Sequence, residues 1–378
     1  MKSGKSGKSG KSENDRMRSD TDAESSLHLA AKIHIQVRRD LKAQGVIRPG
    51  AKLVDIADFI EAATKRHTSD LMISDPSVTS INGGIGFPAG LSINSCAAHY
   101  HPYLNDTAIL SKNDIVKVDF GTEINGWIID SAFTEYGFGD NAASKELTDA
   151  FENLTACVRD ATNTGIKNIG IDAPIVEWSQ AIEEVMRSYG VQPVSNLGGH
   201  NILHEIIHGN VFLPACAGSV RDANERFGAG VYAIETFGST EPTSDSEQAQ
   251  RRNRNNGTVE VVEKGESAIF RLNPGFMRYS AAQLATQFHS PIFKIQSVQK
   301  LFSQIKSRFK TLPFANRYIL SPQMSERIPL ALLAKHDVLY SYPPLHVAST
   351  GYTAQFEHTV LLKESGGPAI VFSRDDDY

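Results

Sequence analysis

The most constraining feature of the chain is the stretch 116–133, which carries two aspartates, Asp119 and Asp130. Between them, Asn125-Gly126 predicts a two-residue hairpin loop, because both residues tolerate the positive φ angles of a type I′ turn. The register of this hairpin places Gly121 opposite Asp130. Side chains alternate between the faces of a strand, so the two aspartates share a face as diagonal neighbours about 7–8 Å apart.

Two carboxylates held this close raise each other's pKa unless a cation lies between them. Taken alone, the hairpin is also compatible with two exposed acids on a hydrated sheet face. Further ionisable residues occur in apolar or glycine-rich extended segments, namely His99, His200, His208, Glu235 and Glu357. Apolar strands rarely hold such residues without a partner. Two aspartates, one histidine and two glutamates make an oxygen-rich set, and its excess negative charge favours two hard divalent ions over a structural zinc site.

Composition excludes several classes of protein. The chain has 378 residues, a net charge of −5 and 40% hydrophobic residues, which is typical of a soluble globular protein with a large core. The net charge argues against a body that binds DNA, and no apolar run reaches the roughly 18 residues of a membrane span. Three widely spaced cysteines and a polar start without a signal-peptide core favour the reduced cytoplasm.

Residues 1–26 are predicted to be a disordered basic tail. The unit Lys-Ser-Gly recurs there, with lysines at positions 2, 5, 8 and 11, and cannot bury apolar surface. Such an arm can contact RNA phosphates, for example on a ribosome. A solvated tail without a partner is the equally weighted alternative.

Residues 27–378 form the predicted folded domain. Helical spacing predicts helices near 27–44, 53–65, 144–164 and 172–190, and extended segments surround the ionisable residues listed above. The segment 85–90 is predicted to be a glycine- and proline-rich loop. From about 275 to 342 the pattern becomes helical and indicates an insertion. This order of elements predicts an α+β fold around one curved antiparallel sheet covered by helices.

The motifs around these residues are, in chain order, AAHY (97–100), VDFG (118–121), ID (129–130), GH (199–200), IH (207–208), AIETFGST (233–240), YPPL (342–345) and TAQFEH (353–358). In sequence and in order they resemble the motifs of type 2 methionine aminopeptidases. The resemblance runs from about Leu27 to Tyr378. It implies the pita-bread fold of the creatinases and aminopeptidases, with the helical insertion that marks type 2.

The resemblance also implies a dinuclear metal site that removes initiator methionine from nascent polypeptides with a small second residue. Its ligands would be Asp119, Asp130, His200, Glu235 and Glu357. Asp130 and Glu357 would bridge two ions, with Asp119 on one ion and His200 and Glu235 on the other. Cobalt, manganese, iron and zinc all suit this set. Such ions activate a water and polarise the scissile carbonyl.

The resemblance assigns further roles around the metals. His99 and His208 would contact the substrate and stabilise the oxyanion, and Glu235 would move the proton to the leaving amine. The slot for the methionine side chain would be lined by Phe87, Ile207, Phe237, Tyr342 and Leu345.

One departure and two alternatives remain. The family usually has another pocket histidine after the ETFGST motif, but residues 241–285 contain none. One alternative is a catalytically inactive relative that acts as a ribosome- or RNA-binding module, although such relatives have lost metal ligands. The other is a proline-directed peptidase or creatinase-type hydrolase, against which the helical insertion argues.

Overall fold

The computed structural model describes residues 13–74, 82–137, 144–240, 258–288, 290–321, 323–347, 351–376 and 378. Within these ranges the helices are α1 Glu13–Ala43, α2 Leu53–Ser74, α3 Lys145–Asn168, α4 Ile175–Ser188, α5 Ala281–Thr286, α6 Gln296–Phe309 and α7 Arg327–Lys335. None of these helices combines the length and the apolar character that a membrane span requires.

In the described part of the chain the strands form four sheets. Their bounds are β1 Gly83–Ile93, β2 Cys96–Ala98, β3 Val116–Ile124, β4 Trp127–Glu135, β5 Gln192–Pro193, β6 Gly198–Ile202, β7 Phe212–Pro214, β8 Gly230–Ser239, β9 Val261–Glu263, β10 Ile269–Leu272, β11 Phe314–Ala315, β12 Leu339–Tyr342, β13 Leu345–Val347, β14 Thr353–Leu362 and β15 Ile370–Val371.

The first half of the fold is the sheet β1-β3-β4 with α1 and α2 packed on it. The inward positions predicted for α1 are all buried, namely Leu27, Ala30, Ala31, Val37 and Leu41. A buried histidine, His34, ties the helix to the sheet. Its ring stacks on Phe120 at 4.0 Å between centroids, and its Nε2 lies 2.9 Å from the Phe120 carbonyl oxygen.

Helix α1 begins earlier than the sequence pattern indicated. Residues 13–26 were expected in a disordered tail, but they belong to the helix. The physical reason is that no glycine or proline interrupts the chain between Lys11 and Gln44. In addition, Ala23 is buried one turn before Leu27 and extends the inward face. The lysine repeat of residues 1–12 lies outside the described residues.

The segment 85–90 is also a correction, because it forms the middle of β1 rather than a loop. Its pairing with β3 shows register shifts on both sides of Phe87. Pro88 lies in this irregular part, where a strand can accommodate a residue without an N–H group.

The second half contains the sheet β15-β14-β8-β6-β7, with β5 paired to β8 and with α3 and α4 packed against it. Both helices bury one stripe of side chains close to the predicted one. The buried members are Phe151, Leu154, Val158, Ala161, Ile175, Trp178, Ile182 and Met186, whereas Leu147 and Val185 are partly exposed.

The two halves meet along a seam between β4 and β14. Side-chain hydroxyls make the connection. Thr359 Oγ1 accepts from the Asp130 N–H and donates to the Asp130 carbonyl oxygen, and Ser131 Oγ donates to the Glu357 carbonyl oxygen. The α+β class is therefore confirmed, but the strands that carry the ionisable residues belong to two sheets rather than to the expected one. The reason is that β4 and β14 are joined by hydroxyl groups instead of a backbone ladder.

Residues between Phe270 and Leu339 form a second hydrophobic cluster, separate from the main core. This part contains α5, α6, α7 and the sheet β11-β10-β12. Arg317 joins it to the main core. Its Nε donates to His101 Nε2 at 2.8 Å, and its Nη2 lies 2.6 Å from Glu61 on α2.

Candidate metal centre

The hairpin of β3 and β4 has the predicted register. Gly121 pairs with Asp130, and Asp119 pairs with Ala132. Asn125 and Gly126 have φ angles of 52° and 81°, as a type I′ turn requires. The two aspartates are therefore diagonal neighbours on one face, as expected from the sequence.

Gly121 must be a glycine because the Phe87 ring packs against it. A Cβ atom at this position would lie 2.2 Å from the Phe87 ring. The glycine thus allows the aromatic ring to lie directly on the hairpin, next to the two aspartates.

Three strands of the second sheet supply the other expected residues. His200 lies on β6, Glu235 on β8 and Glu357 on β14. Glu235 and Glu357 occupy directly opposite positions of the β8–β14 pair. Like charges in opposite positions destabilise a pair of strands. A buried pair of this kind therefore indicates that a cation belongs between the two carboxylates.

The ligand atoms of the five residues converge in two overlapping groups. Asp130, His200 and Glu357 form one group, and Asp119, Glu235 and Glu357 form the other. Within each group the atoms lie within 4.8 Å of one another. Glu357 belongs to both groups, which suits a bridging carboxylate. Glu235 is grouped here with Asp119, and its expected sharing of an ion with His200 stays a prediction.

The electrostatics of the site fit a metal centre. Burial raises the pKa of Asp119, and the neighbouring Asp130 raises it further. The pKa values of Glu235 and Glu357 are also well above the ordinary range, first because of burial and then because of the surrounding acids. Asp119 Oδ1 and both carboxylate oxygens of Glu357 are buried without a hydrogen-bond donor. Unsatisfied acceptors at converging positions are what divalent cations bind.

A cavity of about 320 Å³ opens onto these residues. Asp119, Asp130, His200 and Glu235 line one part of it. The remaining wall is largely apolar and includes Phe87, Leu197, Ile207, Val211, Phe212, Phe237, Ile269, Pro313 and Tyr342. The cavity can therefore hold an apolar side chain next to a cluster of acids.

His99 and His208 also line the cavity, next to the acids. Burial lowers the pKa of His99 to about 4, and burial followed by the charge of His200 lowers the pKa of His208 well below its usual value. Tyr342 joins them: its ring makes an edge contact with His99, and its hydroxyl lies 3.4 Å from His208 Nδ1. His99 also has a left-handed backbone, with φ at 69°, a strained conformation that is common at functional sites.

Two site residues were given no role from the sequence. Gln355, on β14, donates from Nε2 to Asp119 Oδ2 at 3.2 Å and to Glu235 Oε1 at 2.6 Å. Arg271, on β10, is buried, and its positive charge partly offsets the burial that raises the pKa of the Tyr342 hydroxyl. The sequence marks Gln355 and Arg271 in the same way, because each is a polar residue within an apolar extended segment.

The structure separates several residues that are near the motifs in sequence. Leu345 is not part of the cavity wall and packs in a small hydrophobic cluster with Phe237. His204 lies away from the acids, with Nε2 at 2.8 Å from the Asn125 carbonyl oxygen. Residues 241–257, the first part of the histidine-free segment, lie outside the described residues, but Ile269 from its later part lines the cavity.

Comparisons with known proteins agree with this site. Residues 25–237 match the model of metallopeptidase family M24. The chain is 36% identical over 359 residues to methionine aminopeptidase 2 of Komagataella phaffii, covering 92% of this chain and 69% of the relative. It is 37% identical over 362 residues to methionine aminopeptidase 2 of Saccharomyces cerevisiae, covering 92% and 74%.

Solved structures show the same fold. A thermophilic Arx1 matches with a TM-score of 0.71 at 13% identity, covering 94% of this chain and 92% of that chain. Methionine aminopeptidase from Thermotoga maritima matches with a TM-score of 0.55 at 16% identity, covering 93% and 96%. At these identities the similarity concerns the fold alone, and it confirms the expected pita-bread fold.

The chain belongs to the M24 metallopeptidases and, within them, to the methionine aminopeptidase 2 family. Membership of a metallopeptidase family implies that it binds a divalent metal, and the converging acids provide the place.

Proposed function

We propose that the chain removes the N-terminal methionine from nascent polypeptides whose second residue is small, using two divalent ions. The ligands are Asp119, Asp130, His200, Glu235 and Glu357. The observation that carries this proposal is a largely buried cluster of four carboxylates, two of them directly opposite each other, next to an apolar cavity. Manganese, iron, cobalt and zinc all suit these ligands.

Two such ions, when bound, supply a water of lowered pKa and a Lewis acid for the scissile carbonyl. The side chains bind the substrate and handle its protons. His99 and His208 are neutral at pH 7 because their pKa values are lowered, so each ring donates one N–H. When the Tyr342 hydroxyl donates to His208 Nδ1, the ring proton is on Nε2 and is available to the substrate's carbonyl oxygen. Glu235 carries the proton to the leaving amine.

The apolar wall binds the methionine side chain. Phe87, Ile207 and Phe237 provide aromatic and aliphatic surface beside the acids. A thioether is unbranched and polarisable, and it makes favourable contacts with aromatic rings. The preference for a small second residue rests on the motifs shared with the family.

The proposal is tested by methionine release from Met-Gly-Phe and Leu-Gly-Phe after chelator treatment and after addition of Mn²⁺. We expect release only with metal and only from the methionyl peptide. Asp130→Asn should reduce the rate at least about 100-fold, whereas Glu184→Gln, on an exposed part of α4, should not change it. Turnover by the metal-stripped protein would overturn the mechanism.

The alternative function is that of an inactive binding module. Loss of metal ligands is expected of such a relative, and this chain keeps all five. The same peptide assay separates the two functions, because a binding module would release no methionine at any metal concentration.

We also propose that the activity takes place in the cytoplasm, with the basic residues 1–12 promoting contact with the ribosome. The support is the regular spacing of Lys2, Lys5, Lys8 and Lys11. Because α1 begins at Glu13, deletion of residues 1–12 leaves that helix intact. The deletion should reduce co-sedimentation with ribosomes at low salt. Replacing the four lysines by glutamine should have the same effect, and unchanged co-sedimentation would refute this role.

A further inference from the structure

Two exposed residues mark the mouth of the cavity. Of the described residues that line it, only Asn210 and Phe212 are exposed, and Phe212 is 38% exposed. The other aromatic side chains of the wall are covered to a greater extent, and Phe237 is only 1% exposed. An aromatic ring that stays partly exposed at the opening of a cavity offers a bound molecule a large apolar surface.

The position of Phe212 beside the site is fixed by its neighbours. It begins β7 and lies directly opposite His200 of β6. The turn before it is built on Asn201, whose side-chain oxygen accepts from the Val211 N–H at 2.8 Å. Gly209 is needed in this turn, because a Cβ atom there would lie 2.3 Å from the same oxygen. Phe212 is therefore held one strand away from an expected metal ligand.

The course of a bound polypeptide follows from the proposed function, on which this inference rests. The first side chain enters the apolar cavity, and the scissile carbonyl lies at the acids. In an extended chain successive side chains point to opposite sides, and each residue advances about 3.3 Å. The third side chain of the substrate therefore lies on the same side as the methionine, about 7 Å further out, whereas the second and the fourth face away.

We infer that Phe212 is a specificity-determining residue that binds an apolar or aromatic side chain at the third position of the substrate. Among the described wall residues it is the exposed apolar one, so a side chain at the mouth contacts it first. Two aromatic rings in contact gain more than the burial of their surface alone. The contact lies two residues away from the methionine, so it stabilises ground state and transition state alike and lowers KM without changing kcat.

The test is a series of peptides with C-terminal amides, assayed with Mn²⁺ and the full-length protein. We expect the KM for Met-Gly-Phe to be about 3–10-fold lower than for Met-Gly-Gly at similar kcat, the effect of one aromatic contact. Met-Gly-Gly-Phe should have the same KM as Met-Gly-Gly-Gly, because its fourth side chain faces away. In Phe212→Ala the two tripeptides should have equal KM values, whereas Phe212→Tyr keeps the ring and should keep the preference.

Phe288→Ala is the matched control, because Phe288 is also an exposed phenylalanine, at 51%, and is not among the residues that line the cavity. It should retain the wild-type preference. If Phe212→Ala does not fold, Phe212→Val must lose the preference instead.

The other outcomes count against the inference. A wild-type protein without preference at the third position would overturn it, and so would a preference that survives in Phe212→Ala. A rise in KM for all peptides alike in Phe212→Ala would show a general change of the cavity and would also overturn it. If no peptide released methionine in the presence of metal, the proposed function itself would be refuted, and the third-position site with it.

Discussion

Replacing Glu357 with glutamine should stabilise the metal-free protein while removing its response to metal. The Glu357 carboxylate is buried, lies directly opposite Glu235 and also faces Asp130. Both oxygens of Glu357 are buried without a hydrogen-bond donor, and burial together with the surrounding acids raises its pKa well above the ordinary range. Glutamine keeps the shape of the side chain and removes the charge.

The expected gain follows from these contacts. A buried acceptor without a donor costs about 1–3 kcal/mol, and more when it is charged. Like charges in opposite positions of a strand pair add up to about 1 kcal/mol. Glutamine still has buried polar atoms without hydrogen-bond partners, so the substitution removes only the part of the free-energy cost that depends on charge. We expect a gain of about 1–3 kcal/mol, or a rise of roughly 2–8 °C in Tm.

Metal should reverse the order of the melting temperatures of the wild type and Glu357→Gln. Two ions, each at about 100 times its Kd, stabilise a folded protein by about 5.4 kcal/mol in total. Wild type with Mn²⁺ should therefore melt above Glu357→Gln, whereas without metal it should melt below it. Differential scanning calorimetry with and without chelator measures both. The exposed control Glu184→Gln should behave as wild type in each condition. A metal-free Glu357→Gln protein that is less stable than wild type would refute the claim of uncompensated charge.

Three further predictions concern the surroundings of the site. Burial lowers the pKa of His101 to about 4. The neutral ring therefore contributes to the free energy of unfolding above pH 6.5, and up to roughly 3 kcal/mol of it is lost as the pH falls to 4. His101→Gln should flatten this part of the pH profile of urea unfolding. Arg317→Met leaves a buried carboxylate on α2 unpaired and should cost about 3–5 kcal/mol in the same assay, with Arg317→Lys losing less. Gly121→Ala displaces the Phe87 ring and should raise KM for methionyl peptides about tenfold, whereas Gly170→Ala, which meets nothing within 4 Å, should not; equal KM values would contradict the role of Phe87 in the slot.

The parts of the site that were predictable are those fixed by local sequence. The turn at Asn125-Gly126 sets the register of β3 and β4 by itself, and with it the shared face of Asp119 and Asp130. The stripes of α3 and α4 were equally visible, because a 3.6-residue period within one segment determines which side chains point inward.

The parts that were not predictable depend on pairing between distant segments. Glu235 and Glu357 are 122 positions apart in the chain, and no local pattern sets the register of β8 and β14. The same holds for the amide of Gln355, whose two partners lie on β3 and β8. Leu345, which the resemblance assigns to the slot, packs in a small cluster beside the cavity, and its position depends on the pairing of β13 with the distant strands β2 and β9.

The division into two sheets was hidden for a related reason. Thr359 and Ser131 look like ordinary strand residues in the sequence, but their hydroxyls replace a backbone ladder at the seam. Side-chain hydrogen bonds of this kind leave no periodic signal. The early start of α1 was visible in the sequence, because no glycine or proline follows Lys11 until Gly45. The Lys-Ser-Gly repeat directly before it obscured this pattern.

The most direct test of the central claim is a crystal structure of the protein with Mn²⁺, using anomalous scattering to locate the ions. We predict two anomalous peaks about 3.5–4 Å apart. Both should lie among Asp119, Asp130, His200, Glu235 and Glu357, with Glu357 contacting both ions. A fully loaded protein that shows a single peak, or peaks away from these five side chains, would contradict the dinuclear centre.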